Sequence, residues 1–264
     1  MQQLSRAQAK ELLALSTAHG RKKSDLILVE GARAIGTLLD CGKKPRYLVL
    51  SRDHFSATGA EFSARLEALA LPLFEADSDE FGKLADTEHS QGFLAAVDRS
   101  MLSHNSDQAL QSAPLLVYLD GVADPGNLGT IIRTCVAFGV GLLAVSPNSA
   151  DFGNPKVVRA TAGQLFSLPL LRVSELDTFF AELESNRVGL YAAAGDAAIS
   201  LSDLALPERA CIVLGAESSG VSETVLRRDP TLFKIKIAPQ VESLNVAVAA
   251  AIAISRISER MKLI

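Results

Sequence analysis

The chain has no tryptophan, three tyrosines, three cysteines and four histidines in 264 residues. Cys41, Cys135 and Cys211 are odd in number, far apart and in no metal-ligand spacing, so a disulfide framework and a thiolate metal site are both excluded. Each reads as a buried or idle thiol. His19, His54, His89 and His104 all precede residue 114, which leaves the second half without an imidazole. Ser–His hydrolysis and zinc chemistry therefore have no place there. No apolar run approaches the ~18 charge-free residues of a membrane span. The opening MQQLSRAQAKELLAL lacks the apolar core of a secretory leader. These absences predict a soluble, cytoplasmic protein with no membrane and no metal. G-x-G-x-x-G and G-x-x-x-x-G-K-[ST] are missing, and no acid stands at the distance expected for a ribose, which argues against a dinucleotide enzyme. GNLG resembles the GXXG of a KH domain only superficially, because it follows a strand. GAESSG is not G-x-S-x-G, since Ala216 holds the place of the first glycine.

What is present is organised around residues 115–141, LLVYLDGVADPGNLGTIIRTCVAFGVG. Leu115–Leu119 is a short apolar run of the kind that forms a buried parallel strand. Asp120, Gly121, Asp124, Pro125 and Gly126 punctuate a loop. Leu128, Ile131, Ile132, Cys135 and Val136 then fall on one helical face. Asn127 stands where an N-cap belongs, and Val140–Val145 supplies the next strand. Arg133 lies off the apolar stripe, beside Thr130 and Gly129, from where it can reach the strand's C-terminal end. Ligands bind at that end in open α/β sheets; a solvated surface arginine is the plainer reading.

Ahead of this unit, residues 5–19 read as a helix with Leu12, Leu13 and Leu15 inward, and HGRKKSD as a basic loop. Strands at Leu26–Val29, Tyr47–Leu50, Leu71–Phe74 and Phe93–Val97 alternate with helices at Ala32–Cys41, Gly59–Ala70 and Ser78–Ala85, and His89–Gly92 forms a turn. That alternation predicts a small α/β domain. Residues 99–113 read as a polar linker, which gives domains of 1–104 and 114–264. After residue 145 come a loop and short helix carrying Lys156 and Arg159, a strand at Leu168–Val173, and a helix at Glu175–Asn186 with a Ser174/Asp177 capping box. Strands follow at Val188–Ala194 and Cys211–Leu214. Phe233, Ile235 and Ile237 alternate with Lys234 and Lys236 as in an edge strand. The final helix is apolar nearly all round until Arg256, which calls for burial on every side and points to a homodimer interface.

The net charge of −4 hides a split: residues 1–52 carry ten Lys/Arg against four acids, and residues 53–104 three against ten. One face of the first domain is therefore expected to be electropositive, with Arg21, Lys22, Lys23 and Arg33 as RNA contacts and Lys156 and Arg159 adding to them. A solvated, unevenly distributed charge run is the alternative.

Three small-residue loops now sit at strand ends, and together they resemble the motifs of the SpoU-type RNA ribose methyltransferases of the SPOUT superfamily. The first motif is matched by Asn127, Gly129 and Arg133, the second by LGAESSGVS with Gly215, Glu217 and Gly220, the third by Ser243, Leu244 and Asn245. NPKVVRATAGQLFSLPL, VEGARAI and HSQGFLAAV extend the resemblance over nearly the whole chain. The family's Pro-Met-x-Gly before the third motif is replaced by Lys236-Ile237-Ala238-Pro239. The resemblance implies a small N-terminal α/β substrate-binding domain and a C-terminal α/β domain tied in a trefoil knot. It implies a homodimer and S-adenosylmethionine, held by Leu214, Gly215, Glu217, Gly220, Ile235, Ile237, Ser243, Leu244 and Asn245. It further implies catalytic roles for Arg133, Asn127, Glu217, Ser243 and Asn245, and methylation of a ribose 2′-hydroxyl in RNA. Ribosomal RNA is favoured over transfer RNA, and a non-catalytic RNA-binding homologue is the alternative. For Ser243 and Asn245, simple capping of the last helix also stays open.

Overall fold

The computed structural model describes residues 2–55, 59–87, 90–103 and 105–264. His89, with part of the expected His89–Gly92 turn, and His104 lie outside the described residues. The chain divides into two compact units, residues 1–101 with 151–167 and residues 102–150 with 168–264.

The first unit opens on β1 (Gln2–Gln3) and α1 (Arg6–Leu15). Ser5 Oγ accepts from the Gln8 amide while Gln8 Oε1 accepts from the Ser5 amide, a reciprocal cap. Leu12 and Leu15 are buried, but Leu13 is 42% exposed, so it does not turn inward as expected. It sits about 100° round the helix from Leu12. HGRKKSD is not a loop. Thr17 Oγ1 accepts from the Gly20 amide and starts α2 (Ala18–Lys23). There follow β2 (Leu26–Glu30), α3 (Ala32–Asp40), β3 (Tyr47–Leu50), α4 (Gly59–Ala68), β4 (Leu73–Glu75), α5 (Ser78–Leu84) and β5 (Phe93–Asp98). The sheet order is β1-β4-β3-β5-β2, with β5 antiparallel to both neighbours and the remaining pairs parallel. Leu12, Leu28, Val49, Phe81 and Leu94 meet in its core.

The second unit begins inside the stretch read as a linker, which in fact holds α6 (Ser106–Ser112) with Leu110 buried. One leucine among polar residues leaves no periodicity to read. Next come β6 (Leu115–Asp120), α7 (Pro125–Ala137) and β7 (Leu142–Val145). Leu128, Ile131, Ile132 and Cys135 of α7 are fully buried, worth roughly 1.5–3 kcal/mol for each large side chain. Asp124, not Asn127, caps this helix: its Oδ1 accepts from the Asn127 amide at 2.8 Å, and Pro125 takes the first helical position. Asn127 is thereby the third helical residue, its side chain released from capping.

The chain then returns to the first unit for residues 151–167, which include α8 (Pro155–Ala160). Asp151 holds this segment in place. Its Oδ1 accepts from Arg99 at 2.7 Å and its Oδ2 from Arg21 at 3.1 Å. Arg21 also donates to the carbonyls of Leu15 and Ser16, and is 7% exposed.

The rest of the second unit comprises β8 (Leu170–Arg172), α9 (Leu176–Ser185), β9 (Gly189–Ala193), β10 (Ile199–Ser200), β11 (Ala210–Gly215), α10 (Glu223–Leu226), β12 (Thr231–Lys234) and α11 (Val246–Met261). No side chain caps α9 at its Glu175 N-cap, so the Ser174/Asp177 box does not form. The sheet is parallel throughout in the order β10-β12-β9-β11-β6-β7-β8. β12 is therefore not an edge: two-residue β10 covers it, and Ile235 and Ile237 lie beyond its end. α11 packs against α7, yet Val248 is 48% exposed and Ile252 37%, so one apolar stripe remains uncovered in the single chain.

Arg21→Ala removes donors to a carboxylate and two carbonyls at once. We expect chemical denaturation to report a loss of about 2 kcal/mol, against at most about 0.5 kcal/mol for exposed Lys22→Ala or Lys23→Ala. Burial by itself pushes the Asp151 carboxyl up, but Arg99, the Gly153 amide and Arg21 outweigh it and hold the carboxyl below its ordinary 3.8. Its contribution is complete above that value and is lost as pH falls through the lower folded one. The Arg21→Ala penalty should shrink accordingly below pH 3.8; a pH-independent penalty would contradict the assignment.

Candidate active site

The parallel sheet reverses its winding between β6 and β11, which run side by side from Leu115↔Ala210 to Asp120↔Gly215. The connection from β6 leads to β7 on one side, and that from β11 to β12 on the other. Loops leaving such a switch point diverge and open a crevice at the strands' C-terminal ends. Asp120 pins the two loops together, its Oδ2 accepting from the Ser222 amide at 2.7 Å.

The loop after β11 is a tight return. Ala216 and Gly220 exchange both backbone hydrogen bonds, at 3.0 and 2.8 Å. A Cβ on Gly215 would stand 2.0 Å from the Gly220 carbonyl carbon, so only glycine fits there. Gly220 supplies the left-handed φ of +66° that closes the turn. This closure raises Glu217 above the sheet.

Glu217 Oε1 gathers three donors: Asn127 Nδ2 at 2.9 Å, Asn245 Nδ2 at 2.7 Å and the Val246 amide at 3.3 Å. Asn245 Nδ2 also reaches Asn127 Oδ1 at 3.0 Å. Asn245 Oδ1 meanwhile accepts from the amides of Ala247 and Val248, capping α11. Capping and bridging are thus one residue's two ends, and the capping reading of Asn245 holds. Three motifs far apart in sequence converge on one carboxylate, and a hydrogen bond to a charged group is about twice as strong as a neutral one.

Two cavities adjoin this cluster. A volume of about 210 Å³ opens among the ends of β9, β11 and β12. Leu214, Gly215, Glu217, Gly220, Ile235, Ile237, Ser243 and Leu244 all line it; Asn245 does not, standing behind Glu217. Sequence reasoning missed Ala193, Ala194 and Gly195, the loop after β9, together with Phe233, Glu242 and Ala249. The small residues following a strand were the available signal, a poor one by itself. A second volume of about 190 Å³ is lined by Gly121–Asp124, Asn127 and Ser218, and shares Ala216, Glu217 and Val246 with the first. The site can hold two partners on either side of one hydrogen-bonded carboxylate.

Arg133 stands apart. It is exposed on α7, lines neither cavity and has no ion-pair partner among the described residues. Ser243 is exposed and carries no cap. Among the other expected RNA contacts, Lys22, Lys23, Arg33 and Lys156 are exposed, while Arg159 pairs with Asp86. Arg21 is a correction: it is buried, with its guanidinium bonded to Asp151 and to the Leu15 and Ser16 carbonyls, and is turned away from solvent. Burial raises the thiols of Cys135 and Cys211, the latter to about 12, so neither is a nucleophile. Among the described residues, no group of three or more His, Cys, Asp or Glu could hold a metal ion.

A winding reversal with two cavities at the strands' C-terminal ends is the ligand-site arrangement of open α/β proteins. Residues 114–255 match the SpoU rRNA Methylase family, and residues 6–95 match the MRM3-like substrate binding domain. The chain belongs to the SpoU rRNA methylase family. It is similar to the 23S rRNA (guanosine(2553)-2′-O)-methyltransferase RlmP of Bacillus subtilis, 29% identical with 90% of each chain covered. It is also similar to the 23S rRNA (guanosine-2′-O-)-methyltransferase RlmB of Ralstonia nicotianae, 31% identical over 73% of this chain and 78% of that one. The fold matches the SpoU methyltransferase AviRb of Streptomyces viridochromogenes, solved with its cofactor AdoMet, at a TM-score of 0.85 and 24% identity, covering 97% and 98% of the two chains.

Asn245→Ser keeps a capping oxygen but loses the bridging amide. In urea denaturation it should be about 1 kcal/mol more stable than Asn245→Ala, the share of the cap alone. A double-mutant cycle between Asn127→Ala and Glu217→Ala should show a coupling of about 0.5–3 kcal/mol; strict additivity would mean the cluster is not a unit.

Proposed function

We propose that this protein transfers a methyl group from S-adenosylmethionine to a ribose 2′-hydroxyl of RNA, with ribosomal RNA as substrate. The observation that carries the reading is the Asn127–Glu217–Asn245 cluster between two adjoining cavities, in a chain of the SpoU family whose relatives act on 23S rRNA at that oxygen.

The larger cavity suits the cofactor. The bare backbone of Gly215 and of Ala193–Gly195 admits close approach, Ile235, Ile237 and Leu244 give apolar walls, and the carboxylates of Glu217 and Glu242 favour a cation. Bound there, S-adenosylmethionine supplies a methyl group on a sulfonium, already activated for displacement. The chain's own work is then positioning. Holding reacting atoms about 3–3.5 Å apart replaces much of the entropic barrier. Glu217 orients both asparagine amides, Asn127 faces the smaller cavity where the ribose would lie, and Asn245 fixes the start of α11 against it. Arg133 cannot serve as a base, since a guanidinium stays protonated in proteins. Its role is to anchor a phosphate and stabilise charge developing on the 2′-oxygen.

The working form we infer is a homodimer, supported by the uncovered apolar stripe of Val248 and Ile252 and by Arg133 lining neither of the two cavities of its own chain. A trefoil knot accords with residues 235–244 meeting the loops after β9 and β11 at one cavity while α11 returns to α7.

Arg133→Ala should lower methyl transfer to rRNA at least 100-fold while S-adenosylmethionine affinity by calorimetry changes less than about threefold, a loss of transition-state rather than ground-state contact. Near-normal turnover would refute the role. Val248→Asp with Ile252→Asp should give monomers in light scattering and no methyl transfer, and persistence of the dimer would move the interface elsewhere.

A further inference from the structure

The first unit contains a cavity of about 600 Å³ that nothing in the methyl-transfer site uses. Its lining comes from three separate stretches of sequence, all within that unit: Glu30, Gly31, Arg33 and Ala34, then Thr87 with Gln91, and Arg159 with Ala162. Its volume falls within the usual range of small-ligand sites, ~300–1,000 Å³. The floor is small and apolar, formed by Gly31, Ala34 and Ala162. Gly31 adopts a φ of +94° and Gly163 of +90°. A Cβ on Gly163 would meet Thr37 at 2.8 Å and the Ala34 backbone at 3.0 Å, so the 151–167 segment is fitted closely against α3. The cavity is therefore framed by fixed backbone.

Its polar groups are arranged unevenly. Glu30 is occupied, accepting from the Asp86 amide at 3.0 Å and from the Thr87 hydroxyl. Arg159 is paired with Asp86. Gln91 Oε1 accepts from the Ala32 amide at 3.0 Å, which holds the carboxamide in place with its Nε2 left to donate. Arg33 is exposed and has no ion-pair partner among the described residues. An anionic group with an attached flat, edge-polar body satisfies these demands together: phosphate on Arg33, a base edge on Gln91 Nε2, and the base face over Ala34 and Ala162.

We propose that this cavity seats one unpaired nucleotide, extruded from the RNA substrate, so that the first unit recognises a bulge or loop rather than a continuous duplex. This rests on the RNA-modifying reading above. Duplex phosphates lie on a convex surface that a pocket cannot follow, whereas sequence-selective RNA recognition works on splayed-out bases stacked against side chains and bonded at their edges. Arg33 thus differs from Lys22 and Lys23, which are exposed, do not line this cavity and suit sequence-independent phosphate contact.

The test uses the full-length protein and fluorescent RNA hairpins, one fully paired and four carrying a single unpaired A, C, G or U. The parent should bind at least one bulged hairpin tenfold or more tightly than the paired one. Arg33→Ala and Gln91→Ala should each reduce that ratio to less than threefold while leaving paired-hairpin affinity within threefold and melting temperature unchanged. Lys22→Ala with Lys23→Ala should weaken all the hairpins alike and keep the ratio. No bulge preference in the parent, or a preference that survives in both pocket variants, overturns the proposal. Methyl transfer to rRNA by the parent is measured beside it. Transfer without bulge preference sinks the pocket and leaves the enzyme, and pocket-dependent preference without transfer does the reverse.

Discussion

The site depends on the parallel pairing of β6 with β11. That pairing sets Asp120 opposite Gly215, so the segments that lead to Asn127 and Glu217 leave the sheet from adjacent points. Gly215 is the tightest element of this arrangement, because the returning chain at Gly220 occupies the space where a side chain would be. A loop closed that firmly holds a carboxylate at a defined height, and a defined carboxylate can align two amides.

The consequence is that helix geometry and site geometry are not separable in the second unit. Asn245 caps α11 with one end of its carboxamide and reaches Glu217 and Asn127 with the other. Any displacement of α11 therefore moves the wall of the larger cavity and loosens the asparagine facing its neighbour. The departure at Lys236–Pro239 is compatible with the same logic. Lys236, Ala238 and Pro239 are absent from the cavity lining, and the change leaves the apolar contact of Ile237 in place.

In the first unit the basic residues divide by surroundings rather than by sequence neighbourhood. Arg21 is consecutive with Lys22 and Lys23 and shares α2 with them, yet it alone is drawn inward, because Asp151 and two carbonyls from the end of α1 wait on that side. Lys22 and Lys23 stay in water. The partner that decides this lies 130 residues away, beyond the reach of any local pattern. Similarly Arg159, in a stretch that resembles the methyltransferase half, ends beside α3 because residues 151–167 fold with the first unit.

By itself the sequence determined most of the longer strands of both sheets, the burial of one face of α7, and the three motifs, because each depends on local periodicity or on a residue type at a short spacing. Continuous apolar runs such as Leu115–Leu119 and Leu26–Val29 have few conformations that bury them, and the motif glycines allow few substitutes. Local signals also misled where two candidates competed: Asp124 outbid Asn127 as the cap of α7 because Pro125 favours the first helical position, and β10 covered an apparent edge strand with only two residues. Tertiary structure alone decided that Asn127, Glu217 and Asn245 share one set of hydrogen bonds, that Ala193–Gly195 complete the larger cavity beside them, and that Arg21 is buried while Arg33 opens onto a pocket. Each of these is a contact between segments tens of residues apart, and side-chain pairing across such distances follows from how the sheets and helices pack, which no window of sequence contains.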